Sequence, residues 1–352
     1  MKDLKPQFDF DDVLIVPKIK THISSRYKDI ILPRQLPLFT APMDTVVDIK
    51  NMFDFMENGI GVTLPRTIKR DDYHLVPKGV FVSMGFEDIN FELKTSLRNL
   101  PQDLSIVIDV ANGHMQKVFD YCREIKRLRP DITIMVGNIG NPKTYEWYAK
   151  GNCVDYIRVG IGNGGGCLTT KQSGVGYPMA SLISETSWVK HKLRLERIKK
   201  GERVNLPAIV ADGGMKDHSD IIKSLALGAD YVMIGSIFNK AFESCAKNYL
   251  YGIKINKKLA RRLFDKGYPV KKYFRGMSTK GAQKAMGKTS FKTSEGVVRF
   301  RKVEYHLSGW VENFEHYLRN AMSYSNARDL SEFVGKTEIC QITTRAYDRF
   351  NK

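Results

Sequence analysis

Eight short apolar runs, rich in β-branched residues, recur along this chain and constrain its fold more than any other feature. They cover residues 37–40, 61–64, 80–84, 106–110, 133–136, 156–159, 208–211 and 231–234. Short, continuously apolar runs are what parallel strands buried on both faces look like. Most starts lie about 20–28 residues apart, room for one helix and two loops, with a longer interval between the sixth and seventh. Eight such units close naturally into a (β/α)8 TIM barrel; a doubly wound open sheet is the competing arrangement. No repeat, low-complexity tract or Pro/Ser-rich linker divides the 352 residues, so a single domain over 1–352 is expected, with 254–275 as a basic loop insertion.

Composition narrows the class. Hydrophobic residues make up 42% and charged residues 27%, enough for a full core and against wholesale disorder. No apolar run approaches the roughly 20 residues of a spanning helix, and no apolar segment of a secretion signal follows Met1. The five cysteines are scattered and odd in number, which points to a reducing cytoplasm rather than a disulfide framework. A net charge of +18 favours anionic ligands such as nucleotides, nucleic acid or acidic partners, and is equally what a solvated basic surface looks like.

Several strands end in chemistry. The fourth runs into Asp109-Val110-Ala111-Asn112-Gly113-His114, the fifth into Gly137-Asn138-Ile139-Gly140, the sixth leads to Gly162-Asn163-Gly164-Gly165-Gly166-Cys167, the seventh ends Asp212-Gly213-Gly214 and the eighth Gly235-Ser236. Barrel active sites are built at strand C-termini, with phosphate often held after strands seven and eight. Gly213-Gly214 and Gly235-Ser236 fit such a cradle, or are ordinary turns needing positive φ. Four glycines in five positions before Cys167 could aim carbonyls at a cation and expose the thiol as a nucleophile; the alternative is a flexible loop with an incidental cysteine. Cys122, Cys153, Cys245 and Cys340 lack such settings and are expected as buried apolar side chains.

The seven histidines show no zinc-ligand spacing, and no GxGxxG fingerprint follows a strand. Basic clusters fill 190–200 and 254–275; in the second, Phe264, Tyr268, Tyr273 and Phe274 interleave with the lysines and arginines. That pattern suits nucleic acid, a mobile basic loop over an anionic substrate, or a plain solvated face.

At these residues the chain resembles the IMP dehydrogenase/GMP reductase family from about Phe8 to the C-terminus. The matching pieces, in the family's order, are Phe10-Asp11-Asp12-Val13-Leu14, Ala41-Pro42-Met43-Asp44-Thr45, 109–113, the loop ending at Cys167, Asp212-Gly213-Gly214, Gly235-Ser236, Gly276-Met277-Ser278 and Glu295-Gly296. Within the family it looks more like the reductase branch. Asp109-Val110-Ala111-Asn112-Gly113 and Ser173-Gly174-Val175-Gly176-Tyr177-Pro178 are reductase-like, and the close spacing of His74 and the third strand leaves no room for a CBS insertion. The flap region, 276–296, is short and lacks the Arg-Tyr pair of the dehydrogenases.

The resemblance implies an NADPH-dependent oxidoreductase that converts GMP to IMP and ammonia through a thioimidate on Cys167. Thr169 and Glu295 would relay protons. Asp212 would bind the ribose hydroxyls, with Gly213, Gly214, Gly235 and Ser236 around the phosphate. Gly276, Met277, Ser278, Lys292, Thr293, Ser294 and Gly296 would frame the base. Asp109, Val110, Ala111, Ile161 and Gly162 fall at cofactor positions, with Ser25 and Arg26 contributed by a neighbouring subunit of a homotetramer. Carbonyls of Gly162, Gly164, Cys167 and Thr170 would hold potassium.

The sequence also departs from the family pattern. Gly162-Asn163-Gly164-Gly165 replaces the usual Gly-Pro-Gly-Ser, so a substrate-binding serine hydroxyl is missing; Met179 replaces a Gln; Leu64-Pro65-Arg66 replaces a His-Lys-His segment. Ala41-Pro42-Met43 is the dehydrogenase form of its motif. The alternatives are therefore an NAD-dependent IMP dehydrogenase and, from another class, a nucleic-acid-binding protein on an inactive barrel.

Overall fold

The computed structural model describes residues 5–95, 97, 100–102, 104–288 and 296–350. All eight expected runs form strands: β1 (Leu38–Thr40), β2 (Thr63–Leu64), β3 (Phe81–Met84), β4 (Ser105–Asp109), β5 (Thr133–Ile139), β6 (Tyr156–Val159), β7 (Ala208–Asp212) and β8 (Tyr231–Ile234). Successive strands from β2 to β8 pair in parallel, and β8 pairs with β1. Phe39 bridges Gly61 in parallel, and the Thr40 N–H donates to the Gly61 carbonyl at 2.9 Å, which joins β1 to the approach to β2. The sheet is thus a TIM barrel rather than an open doubly wound sheet.

Two apolar layers explain why the strands read as unbroken apolar runs. Inward side chains of Phe39, Phe81, Val107, Met135, Val210 and Met233 fill the barrel, with Phe39 and Phe81 edge-to-face at 5.6 Å. Outward ones, such as Ile106, Ile134, Ile157 and Ile209, pack under the helices. Helix starts are set by local chemistry. Before helix Pro142–Gly151, for example, the Asn141 side chain accepts from the Lys143 N–H, and Pro142 occupies the first turn, where its missing donor costs nothing. The long interval between β6 and β7 holds a short helix, Thr169–Ser173, and the 21-residue helix Met179–Lys199, on which most of the first basic cluster lies.

Residues 254–275, expected as a loop, are ordered secondary structure. Strands β9 (Asn248–Leu250), β10 (Ile253–Ile255), β11 (Lys271–Arg275) and β12 (Val298–Lys302) form an antiparallel sheet in the order β10-β9-β11-β12. Helix Lys257–Asp265 follows β10, started by the Asn256 side chain, which accepts from the Leu259 N–H. A small core of Phe242, Ala260, Val270 and Val303 holds this unit together. Lys272 is fully buried, its ammonium donating to the carbonyls of Phe242 at 2.9 Å and Ser244 at 2.8 Å. An Arg275–Asp44 ion pair ties β11 to the loop that follows β1.

A second correction concerns the cysteines. Cys122 and Cys153 are buried, but Cys245 is partly exposed and Cys340 is exposed. Cys340 lies in a two-stranded ribbon, Ile339–Gln341 against Val13–Ile15, whose outer face is open to water.

Candidate active site

A cavity of about 300 Å³ opens at the C-terminal ends of the strands. It gathers most of the residues singled out from the sequence: Asp109, Val110, Ala111, Ile161, Gly162, Gly164, Cys167, Thr169, Asp212, Gly213, Gly214, Gly235, Ser236, Gly276, Met277 and Ser278 all line it. Ala41, Pro42 and Met43 line it too.

Its floor is a charged chain. Arg158, from the middle of β6, donates to Asp109 Oδ1 at 2.8 Å and to Asp212 Oδ2 at 2.7 Å. The Nδ2 of Asn138, on β5, donates to the same Asp212 oxygen and to the Gly160 carbonyl, both at 2.8 Å. Arg66 adds a 3.3 Å ion pair to Asp109 Oδ2. Burial acts to strip charge from the Arg158 guanidinium, but the two carboxylates outweigh it and raise its pKa. Both aspartates are thereby fixed in orientation at the ends of β4 and β7. The loop after β4 is held by His114, whose Nε2 accepts from the Gly140 N–H at 3.0 Å while Nδ1 contacts Thr144 Oγ1 at 2.8 Å. Burial lowers the His114 pKa, in keeping with a neutral ring.

The glycine loop sets the nucleophile above this floor. Cys167 closes a tight turn on the Gly164 carbonyl, N–H to O 2.9 Å, and its thiol donates to Thr169 Oγ1 at 3.2 Å. Its backbone also bridges Gly296 in antiparallel fashion, and the Val297 N–H donates to the Gly166 carbonyl at 3.2 Å. Gly213 has φ +91°, and a Cβ there would stand 2.9 Å from the Gly164 backbone nitrogen. That approach of the seventh-strand turn to the cysteine loop needs glycine.

Of the four carbonyls expected around potassium, those of Gly164 and Thr170 each accept a backbone N–H, from Cys167 and Gly174. A carbonyl keeps a second lone pair, so both retain capacity, and neutral oxygens suit a large monovalent cation. Thr170 packs on Gly162 and its hydroxyl donates to the Val175 carbonyl at 2.8 Å. Val110, Ala111 and Ile161 add an apolar patch to the lining of the same cavity.

Other expected residues lie elsewhere. Ser25 and Arg26 do not line the cavity; Arg26 donates to Asn320 on helix Leu307–Tyr324, and the Ser25 N–H donates to Asp29. Lys292, Thr293, Ser294 and Glu295 lie outside the described residues. Sequence reasoning did not assign Arg66, Asn138 or Arg158 to the site, although Asn138 stood out as a polar strand end and Arg66 in the segment that replaces His-Lys-His. Arg158 carried a readable signal, a lone charge in an otherwise apolar strand, since a buried arginine needs carboxylate partners.

Comparison with known proteins follows the same lines. The family model for the IMP dehydrogenase / GMP reductase domain matches residues 77–349. A GMP reductase of Caenorhabditis elegans is 26% identical over 369 aligned residues, covering 98% of this chain and 95% of the relative. Human GMP reductase 1 is 29% identical, covering 97% and 96%. A GMP reductase of Streptococcus pyogenes is 28% identical, covering 92% of each. The family model covers more than three quarters of the chain, which therefore belongs to the IMP dehydrogenase / GMP reductase family.

Proposed function

We propose that this protein is a GMP reductase, which removes the 2-amino group of GMP as ammonia and reduces the purine to IMP with NADPH. The observation that carries the proposal is the Cys167 thiol at the mouth of the cavity, 3.2 Å from Thr169 Oγ1 and above the Asp109–Arg158–Asp212 chain. The reductase-named relatives, spanning nearly the whole chain, support the same reading.

In this reading Cys167 adds through sulfur to C2 of the guanine ring, and the thiol proton passes to Thr169. The C2–N bond then breaks. Thr169 and Glu295 protonate the departing nitrogen so that it leaves as ammonia rather than as an amide anion. NADPH, when bound, supplies the hydride that reduces C2; the C2–S bond then breaks and returns Cys167. Every hydrogen bond that Asp212 makes among the described residues goes to Oδ2, which leaves Oδ1 to accept from a ribose hydroxyl. Gly213, Gly214, Gly235 and Ser236 surround the phosphate. Gly276, Met277, Ser278, Gly296 and the stretch 292–294 frame the base.

Val110, Ala111 and Ile161 receive the nicotinamide, and Ser25 and Arg26 complete a cofactor site across the interface of a homotetramer in the cytoplasm. Potassium on the loop carbonyls would hold Cys167 in its turn. The chain is one functional domain over 1–352, with 276–296 as its flap.

The test is NADPH absorbance with GMP and potassium, with ammonia measured in the same tube. Equal loss of NADPH and gain of ammonia, both dependent on GMP, is the expected result. Production of XMP from IMP and NAD, with no oxidation of NADPH by GMP, would overturn it in favour of the dehydrogenase. Replacing potassium by sodium should lower turnover if the loop carbonyls hold the cation.

A further inference from the structure

Arg301, on β12, belongs to no motif identified from the sequence; it does not itself line the cavity, but its guanidinium contacts Ser236 and Phe274, which do. Residues 272 and 274 of β11 pair with 301 and 299 of β12, so these four side chains share one face of the sheet. On that face Lys272 and Phe274 are buried, and the Arg301 guanidinium lies 4.3 Å above the Phe274 ring. Stacking of this kind fixes the guanidinium plane and leaves its edge free to bind.

That edge points at one small volume. Nη1 makes a long contact, 3.4 Å, with the Ser236 carbonyl. A Cβ placed on Gly165 would stand 3.3 Å from Nη2 and 3.6 Å from the Ser236 Cβ. Gly165, Ser236 and Phe274 all line the cavity. Nε is buried without a hydrogen-bond partner, and Arg301 has no ion pair among the described residues. A half-buried cation left this short of acceptors is costly unless an anion completes it. Burial and the repulsion of Arg299 lower the Arg301 pKa, another sign of an uncompensated charge.

Position Gly165 is also where the family pattern has a serine. Its hydroxyl is missing here, and the guanidinium occupies the space next to it. Resting on the reading of the cavity as a nucleotide site, we propose that Arg301 binds the 5′-phosphate of the substrate and replaces that lost hydroxyl by a charge. Two parallel N–H donors match a phosphate monoester dianion, which a single neutral hydroxyl does not. Recognition then depends on phosphate charge: affinity falls at high salt and falls again below about pH 6, where the dianion takes up a proton.

The experiment is equilibrium binding of GMP, IMP and guanosine to the full-length protein without cofactor, for wild type, Arg301→Met, Arg301→Lys and the double variant Arg301→Met/Gly165→Ser. Methionine keeps an apolar contact with Phe274 while removing the charge. The expected result is a roughly 10- to 100-fold loss of GMP and IMP affinity in Arg301→Met, with guanosine binding unchanged. Arg301→Lys should recover part of the loss, and the added serine should recover part by a route that no longer depends on salt.

GMP affinity equal to wild type in a folded Arg301→Met protein would overturn the proposal, as would equal losses for GMP and guanosine. The two readings fail separately. Normal NADPH-linked turnover with phosphate affinity independent of Arg301 removes this inference and leaves the reductase. Arg301-dependent binding of nucleoside monophosphates without GMP turnover supports the inference and removes the reductase.

Discussion

Single residues decide both the chemistry and the stability of the cavity floor. Replacing Cys167 by Ala should abolish GMP-dependent NADPH oxidation while leaving GMP affinity within about threefold of wild type, because the residues that would hold ribose and phosphate are untouched. Glu295→Gln should lower the rate of ammonia release with little change in the KM for GMP, read by single-turnover kinetics. Arg158 has a different role. It joins Asp109 to Asp212, and Arg158→Met would leave two half-buried carboxylates without their common partner. A loss of about 3–5 kcal/mol is expected, measured by urea denaturation. Asp212 was legible from its Asp-Gly-Gly turn; Asn138 was legible only as a polar strand end, and only the folded barrel brings it to 2.8 Å from Asp212.

At the scale of elements, His306 couples the appended sheet to the barrel. Its Nδ1 lies 2.8 Å from Glu243 Oε1 and its Nε2 3.1 Å from Asp265 Oδ1, so it joins the end of helix Lys257–Asp265 to the start of helix Leu307–Tyr324. Burial opposes the imidazolium, but the two carboxylates prevail and raise its pKa above the usual 6.5. A histidine whose pKa is raised by folding contributes stability that is complete below its unfolded pKa and is lost as pH rises through the folded value. The difference in unfolding free energy between wild type and His306→Gln should therefore be largest near pH 6 and shrink toward pH 9. A difference that does not vary with pH would place the stabilisation in packing instead.

The same element shows where legibility ends. The eight barrel strands are apolar on both faces and announce themselves. β11 reads Lys271-Lys272-Tyr273-Phe274-Arg275, which resembles a wet basic surface. Its burial depends on three backbone carbonyls around Lys272, and no local pattern encodes their convergence.

At the scale of the whole molecule, the chain carries a net charge of +18 and a cavity proposed to take a phosphate monoester. The association rate of GMP should fall steeply as salt rises, a steering effect measurable by stopped flow. Subunit assembly makes a separate prediction. If Ser25 and Arg26 serve a neighbour's cofactor site, mixing Arg26→Glu chains with Cys167→Ala chains should restore activity that neither has alone, once the mixture is dissociated and reassembled. Among the described residues no helix is long and apolar enough to cross a membrane, which agrees with the absence of a spanning run in the sequence. No sequence pattern predicted that Arg26 would fold against helix Leu307–Tyr324, away from its own chain's cavity.

Among the described residues β12 is the outermost strand of its sheet, and it carries Val298 and Phe300 half exposed between Arg299, Arg301 and Lys302. An open strand edge with apolar side chains is a template on which another molecule can add, the first step toward an insoluble ribbon. The exposed Arg299 and Lys302 put like charges along that edge and repel a second copy of it, so they act as gatekeepers against self-templating. Neutralising Arg299 should therefore lower the concentration at which the protein clouds, a cost paid in solubility.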